Sequence, residues 1–223
     1  MPYMKTARRK KDLPITGLMA KWYDKNTRQA RLNEMKRYAD IVTANAPSGA
    51  AVLEVAPGPG YLSIELAKRG YNITGVELSA DFVAIEKRNA AAEGVPVDFK
   101  QGNADALPLA DATVDFIVCS AAFKNFKEPL KAMREMHRVL KSGGTALILD
   151  MNREHTKTDV EAEMRNIPEM KGFDRWFVKL SFNTFLKGGA YTKVEFEELI
   201  AQTLFARSEI VRDGIGFQVW MRK

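Results

Sequence analysis

What is scarce in this sequence narrows it first. Its 223 residues contain one cysteine, Cys119, so a single chain can form neither an internal disulfide nor a cysteine-based zinc framework. That scarcity fits a reducing cytoplasm, and no metal centre is expected. No apolar run approaches the ~18–20 residues that span a bilayer, and there is no internal repeat or low-complexity tract. With 46% hydrophobic and 28% charged residues, the composition is that of a globular chain, long enough for one well-buried domain with a modest cap.

Charge is unevenly placed. Residues 1–40 hold eleven Lys/Arg against four Asp/Glu, a net +7, whereas the remainder sums to −1. The basic character therefore sits in an N-terminal arm over residues 1–27, beginning Lys5, Arg8, Arg9, Lys10, Lys11. Such an arm either attracts phosphates or is a solvated tail that aids solubility. It has no apolar core of a secretory signal, and it lacks serine and carries Asp12, unlike a mitochondrial address.

Along the chain, Leu32, Met35, Ala39 and Val42 recur at helical spacing and predict a helix over 28–45. Strands are expected at 51–56, 72–77, 97–100, 114–119 and 145–149, alternating with helices over 61–68, from Ser79 to Gly94 and from Pro129 to Leu140. That alternation implies a parallel, doubly wound α/β sheet with helices on both faces. The rhythm breaks over 153–191, where Trp176, Phe177, Phe182, Phe185 and Tyr191 suggest a cap over a substrate. Thr192 and Glu195 then form a capping-box pattern opening a helix, and Asp213-Gly214 signals a hairpin between the closing runs 207–212 and 215–222.

The first strand ends in Val52-Leu53-Glu54-Val55-Ala56-Pro57-Gly58-Pro59-Gly60. A strand, a glycine-rich turn and a helix in that order build a nucleotide crevice. A nicotinamide dinucleotide would want a third glycine where Ser63 stands. Glu54, inside an apolar strand, instead suggests a cationic or amine-bearing ligand, because an unpaired buried carboxylate is costly.

Four segments in register are similar to the motifs of class I S-adenosylmethionine-dependent methyltransferases. They are Val52–Gly60, the acidic Glu77 ending strand two, Gly102–Pro108, and Arg138–Thr145. The pattern most resembles the ubiquinone/menaquinone-biosynthesis type, whose members methylate small molecules. The resemblance implies a seven-stranded Rossmann-like sheet with its last strand antiparallel, the cofactor S-adenosylmethionine and the product S-adenosylhomocysteine. It further implies that Glu54 holds the methionine amino group, that Ala56, Gly58 and Gly60 let the backbone approach the cofactor, and that Glu77 accepts the ribose hydroxyls. Leu78 would lie on the adenine, Asn103 and Ala104 would meet its edge, and the backbone near Ser120 the amino-acid moiety. Ala56 stands where the family has its first glycine, and Asn103 where aspartate is commoner.

Transfer of a sulfonium methyl needs alignment and exclusion of water more than a dedicated catalytic side chain, and no catalytic residue stands out. His137 falls on its helix's apolar stripe and reads as core. His155, after strand five at the expected pocket mouth, is the better base candidate, with a surface histidine as the alternative. Tyr23 and Tyr191 flank the expected pocket. A small, apolar or ring-bearing acceptor is expected, and a homodimer is left open. The amino-methylating signature of nucleic-acid enzymes is missing after strand four, where the chain reads Ser120-Ala121-Ala122-Phe123-Lys124-Asn125-Phe126. An RNA methyltransferase using the basic arm, or a cofactor-binding protein without turnover, are the competing readings.

Overall fold

The computed structural model describes residues 14–165 and 187–223. The expected cap aromatics Trp176, Phe177, Phe182 and Phe185, and the basic cluster Lys5–Lys11, lie outside the described residues.

A seven-stranded sheet forms the centre, in the order β3-β2-β1-β4-β5-β7-β6. Its strands are β1 (Ala51–Val55), β2 (Asn72–Glu77), β3 (Asp98–Gln101), β4 (Val114–Ser120), β5 (Leu140–Met151), β6 (Arg207–Asp213) and β7 (Gly216–Arg222). The first five run parallel, and β7 is antiparallel to both β5 and β6. The expected doubly wound sheet with an antiparallel last strand is therefore present. The strand order reverses at β1, with β2 on one side and β4 on the other, which opens a crevice at the carboxyl ends of these strands.

Two apolar layers sandwich the sheet. On one face α1 (Gly17–Asn45) and α2 (Tyr61–Lys68) bury Met35, Ala39, Val42, Leu62 and Leu66 against Val52, Phe116 and Leu147. Alongside, α3 (Ala80–Ala92) packs Val83 with Ile64 and Phe99. On the other face α4 (Pro129–Val139) and α6 (Lys193–Ile200) cover Leu53, Ile117, Ile148 and Val219. Between β5 and α6 lies α5 (Lys157–Arg165), which buries Val160 and Met164. The alternation of burial along β1, with Leu53 and Val55 in one layer and Val52 in the other, explains its nearly uninterrupted apolar run. No helix among the described residues is long and apolar enough to cross a membrane.

Three expectations need correction. The first helix starts at Gly17, not at 28. Its inward stripe continues through Ala20, Asp24 and Arg31, and because those positions are small or charged the apolar period cannot be seen in the sequence. Strand five is also longer than 145–149, since Leu140 already pairs with Val114 and the Ser142–Gly144 turn is a local irregularity within the strand. The hairpin turn is Gly214-Ile215 rather than Asp213-Gly214, because Asp213 pairs with Gly216. Gly214 takes the positive φ of the turn's first central residue.

Local signals act as their chemistry requires. Ser79 caps α3 by accepting from the Phe82 amide, and Thr192 and Glu195 form a complete capping box on α6. Phe196, fully buried in α6, stacks on Phe123 at 5.6 Å and meets Phe217 edge-on at 6.4 Å. Phe196→Ala should destabilise the domain by about 3–5 kcal/mol through lost burial and a residual cavity. Urea unfolding measures this, and a loss below ~1 kcal/mol would mean that α6 does not seal this face.

Candidate functional site

At the crevice, Glu77 ends β2 and is 7% exposed. One carboxylate oxygen accepts from the Gly58 amide at 3.1 Å and the other from the Ser79 amide at 2.9 Å. Its backbone carbonyl accepts from the Gly102 amide at 2.9 Å. One residue thus ties together the loop after β1, the start of α3 and the loop after β3. Burial raises the Glu77 carboxyl above the ordinary range despite the Ser79 and Gly58 amides, which favour its charged form. Each oxygen keeps an unused lone pair, so the carboxylate can still accept two further hydroxyls.

The loop itself is held in unusual backbone. Gly58 and Gly60 have φ of 62° and 80°, which glycine adopts without steric cost. A Cβ on Gly60 would also come within 3.1 Å of Glu86 and Phe99. Ala56 takes φ 58°, an uncommon conformation for a residue with a side chain. At the corresponding position after β4, Ala121 has φ 56°, and its carbonyl accepts from the Lys124 ammonium. Lys124 in turn forms a buried ion pair with Asp150 at 3.0 Å. Two of the three positive-φ alanines among the described residues thus stand where β1 and β4 run out into the crevice, and the third, Ala112, lies in the turn before β4.

A small cleft opens beside this loop. Ala56, Leu78, Asn103 and Ala104, all expected at the site, line it, and Val55, Val76, Gly102 and Phe126 complete the wall. Asn103 also braces its own turn, its side-chain oxygen lying 3.5 Å from the Asp105 amide. Glu54 lies behind the loop, 1% exposed, and accepts from the Ser63 hydroxyl at 2.5 Å. Burial pushes its carboxyl up to about 7, against the pull of Ser63. Ser120 is buried at the end of β4 and is not among the residues that line the cleft.

Sequence patterns did not reveal three members of this neighbourhood. Phe126 closes the cleft from the turn after β4, but a lone phenylalanine there has no distinguishing signal. Asp24 is 6% exposed and accepts from Tyr61 at 2.6 Å, Arg88 at 2.6 Å, Arg28 at 3.2 Å and Asn89 at 3.2 Å. Burial alone would raise its carboxyl, yet these partners hold it below the usual range. Asn89 also donates to the Pro59 carbonyl at 3.0 Å, so this network clamps α1 and α3 to the glycine loop. Glu86, fully buried beside Gly60, has no hydrogen-bond partner on either oxygen among the described residues.

The histidines are placed differently from expectation. His155 is neither on the surface nor at an open mouth. It is 1% exposed, its Nδ1 lies 2.6 Å from the Asn152 carbonyl, and Nε2 has no partner among the described residues. His137 is off the buried stripe of α4, which runs through Ala132, Met133, Met136 and Val139, and stands edge-on to Phe205 at 5.1 Å. Tyr23 packs on Phe82, and Tyr191 joins Phe123 and Phe196 in an aromatic cluster. Cys119 is a fully buried free thiol, pushed well above its ordinary range by burial.

The family described as a methyltransferase domain matches residues 53–148, a span from β1 to β5. Over that span, somewhat less than half of the chain, the sequence is similar to a methyltransferase domain. Over 123 residues it is 33% identical to a demethylmenaquinone methyltransferase of Thermus thermophilus, covering 54% of this chain and 55% of that protein. It is 35% identical over 105 residues to a ubiquinone/menaquinone biosynthesis C-methyltransferase of Rubrivivax gelatinosus, covering 47% and 41%. The matches thus span about half the length of these relatives. A solved structure of a putative S-adenosyl-L-methionine-dependent methyltransferase from Methanococcus maripaludis superposes with a TM-score of 0.76 at 21% identity, over 98% of this chain and 97% of that one. The fold is accordingly that of the class I enzymes.

Two predictions test the unusual groups around the loop. Ala56→Gly relieves a positive φ that costs an L-residue about 1–2 kcal/mol, less the entropy glycine adds to the unfolded chain. A rise in stability of roughly 0.5–1 kcal/mol is expected in urea titrations, and a fall would show that the alanine methyl contributes packing that outweighs the strain. Glu86 is pushed from 4.5 to about 10 by burial, with Glu77 and Glu54 adding to it. The folded state therefore binds a proton that the unfolded chain releases. That contribution is complete below the unfolded value and is lost as pH rises towards the folded one. Glu86→Gln should flatten the decline in stability across that window and exceed the parent at about pH 8. Parallel curves for parent and variant would show that Glu86 does not carry this proton.

Proposed function

We propose that this protein is an S-adenosylmethionine-dependent methyltransferase acting on a small, apolar, ring-bearing acceptor, in a cytoplasmic setting. The observation that carries the reading is Glu77: a buried carboxylate, at the strand-order reversal, orienting the glycine loop while keeping two lone pairs for a ribose. The residues present suit the cofactor in shape and in charge. Glycines and a positive-φ alanine leave backbone open on one side of the crevice, and Val76, Leu78 and Phe126 offer apolar faces to a flat base. The cofactor's ammonium and sulfonium outweigh its one carboxylate, and the nearby acidic side chains Glu54 and Glu77 match that charge.

When bound, the cofactor supplies an activated methyl group whose carbon–sulfur bond breaks as the acceptor atom attacks in line. Glu77 would hold the ribose and Leu78 and Ala104 the adenine, with Asn103 at its edge. Gly58 and Gly60 would allow close backbone approach, Glu54 would reach the amino group directly or through water, and the backbone at Ser120 would meet the amino-acid end. On the acceptor side, the ring of Phe126 lines the cleft, backed at 5.3 Å by the buried ring of Phe123. An aromatic wall of this kind favours an aromatic or quinonoid acceptor, in line with the Thermus and Rubrivivax relatives, which are named as a demethylmenaquinone methyltransferase and a ubiquinone/menaquinone biosynthesis C-methyltransferase. The protein's part is alignment and exclusion of water.

Glu77→Ala should weaken S-adenosylhomocysteine binding by tenfold or more, about 1.4 kcal/mol, with the domain still folded by circular dichroism. Wild-type affinity in calorimetry would overturn the ribose assignment. Release of S-adenosylhomocysteine with a demethylated quinol, and none with an aliphatic acceptor, would establish the substrate class. The reverse order would refute it.

A further inference from the structure

The N-terminal end of α1 has an outer face that the methyltransferase reading leaves unused. Leu18, Met19 and Trp22 are 84%, 60% and 59% exposed, and Ile15 just before the helix is 38% exposed. Their spacing places them on one side. Lys21 and Lys25, also exposed, border the same face. The opposite side is firmly seated: Ala20 is fully buried, Tyr23 meets Phe82 edge-on, and Asp24 holds four partners. The helix start is pinned as well, with the Gly17 amide donating to Asp81 at 2.9 Å and the Ser79 hydroxyl to the Ile15 carbonyl at 2.6 Å. The apolar stripe is therefore presented by a docked helix.

Its charge setting names the partner. The helix's positive end is answered by the Asp81 carboxylate on the Gly17 amide, so the charge offered to a partner comes from the exposed side chains of Lys21 and Lys25. The sequence leading into it carries Lys5, Arg8, Arg9, Lys10 and Lys11. We propose that this end of α1 docks on an anionic lipid surface, with Leu18, Met19 and Trp22 entering the headgroup boundary and Lys21 and Lys25 remaining at the level of the phosphates. Exposed aliphatic side chains beside the cations favour lipid over RNA, whose phosphate backbone gains nothing from leucine or methionine. A second copy is disfavoured because a stable dimer buries roughly 800 Å² per partner, more than this short stripe supplies. The inference does not depend on methyl transfer.

The test is co-sedimentation of the full chain with phosphatidylcholine vesicles, with and without phosphatidylglycerol. A second arm uses Leu18→Ser/Met19→Ser/Trp22→Ser, whose folding is checked by circular dichroism and by S-adenosylhomocysteine binding. The expected result is salt-sensitive binding to the anionic vesicles, weakened about tenfold or more by the triple substitution. A blue shift of tryptophan emission on binding, lost in Trp22→Phe, is also expected. Absence of binding, or binding that the triple variant leaves unchanged, would overturn the proposal. So would tighter binding to oligouridylate than to vesicles, or a dimer that the triple variant dissociates.

Discussion

The buried carboxylate of Glu77 is the constraint on which the crevice depends. Glu77 ends β2, yet its two side-chain oxygens and its carbonyl are bonded to amides in three separate segments: Gly58, Ser79 and Gly102. A carboxylate in so enclosed a place is costly unless hydrogen-bonded, and those amides both satisfy it and fix the loops relative to the sheet. The loop after β1 is further tied to β2 by the Ala56 amide on the Val76 carbonyl at 2.8 Å. The parallel sheet provides the edge, and Glu77 gives that edge a fixed shape.

Around this centre the protein accumulates features that disfavour folding in isolation. Ala56 and Ala121 hold positive φ, Glu86 is buried without a hydrogen-bond partner among the described residues, Glu54 is pushed up to about 7, and Lys124 and Asp150 form a buried ion pair. Their common location, at the carboxyl ends of β1 and β4 and behind the glycine loop, matches the expectation that locally unfavourable chemistry gathers at functional sites. The two layers of apolar packing on the sheet supply the offsetting stability.

Much of the fold was legible because strand and helix periods are local properties. The runs around β1, β4 and β5 are apolar on both faces, and Ser79, Pro129, Thr192 and Gly214 mark boundaries by their own backbone chemistry. What escaped was set by contacts distant in sequence. The first half of α1 turns Asp24 and Arg31 inward, where they meet partners from α2, α3 and β1, so its inward face shows no apolar stripe. His155 follows a strand and so is expected at a pocket mouth or on the surface, but its ring is enclosed and bonded to the Asn152 carbonyl. Motif order brings Ala56, Leu78, Asn103 and Ala104 into view in the sequence, whereas Phe126 comes to the cleft they line, and Glu86 to Gly60, only through the three-dimensional course of the chain.

The central claim is that the loops joined by Glu77 form the cofactor cradle. Hydrogen–deuterium exchange of the full chain, with and without saturating S-adenosylhomocysteine, addresses it directly. The account predicts slowed exchange in peptides covering residues 55–63, 77–80 and 102–105 together, with the β6–β7 hairpin unchanged. Binding that leaves those three segments unprotected, or that protects a different edge of the sheet, would contradict it.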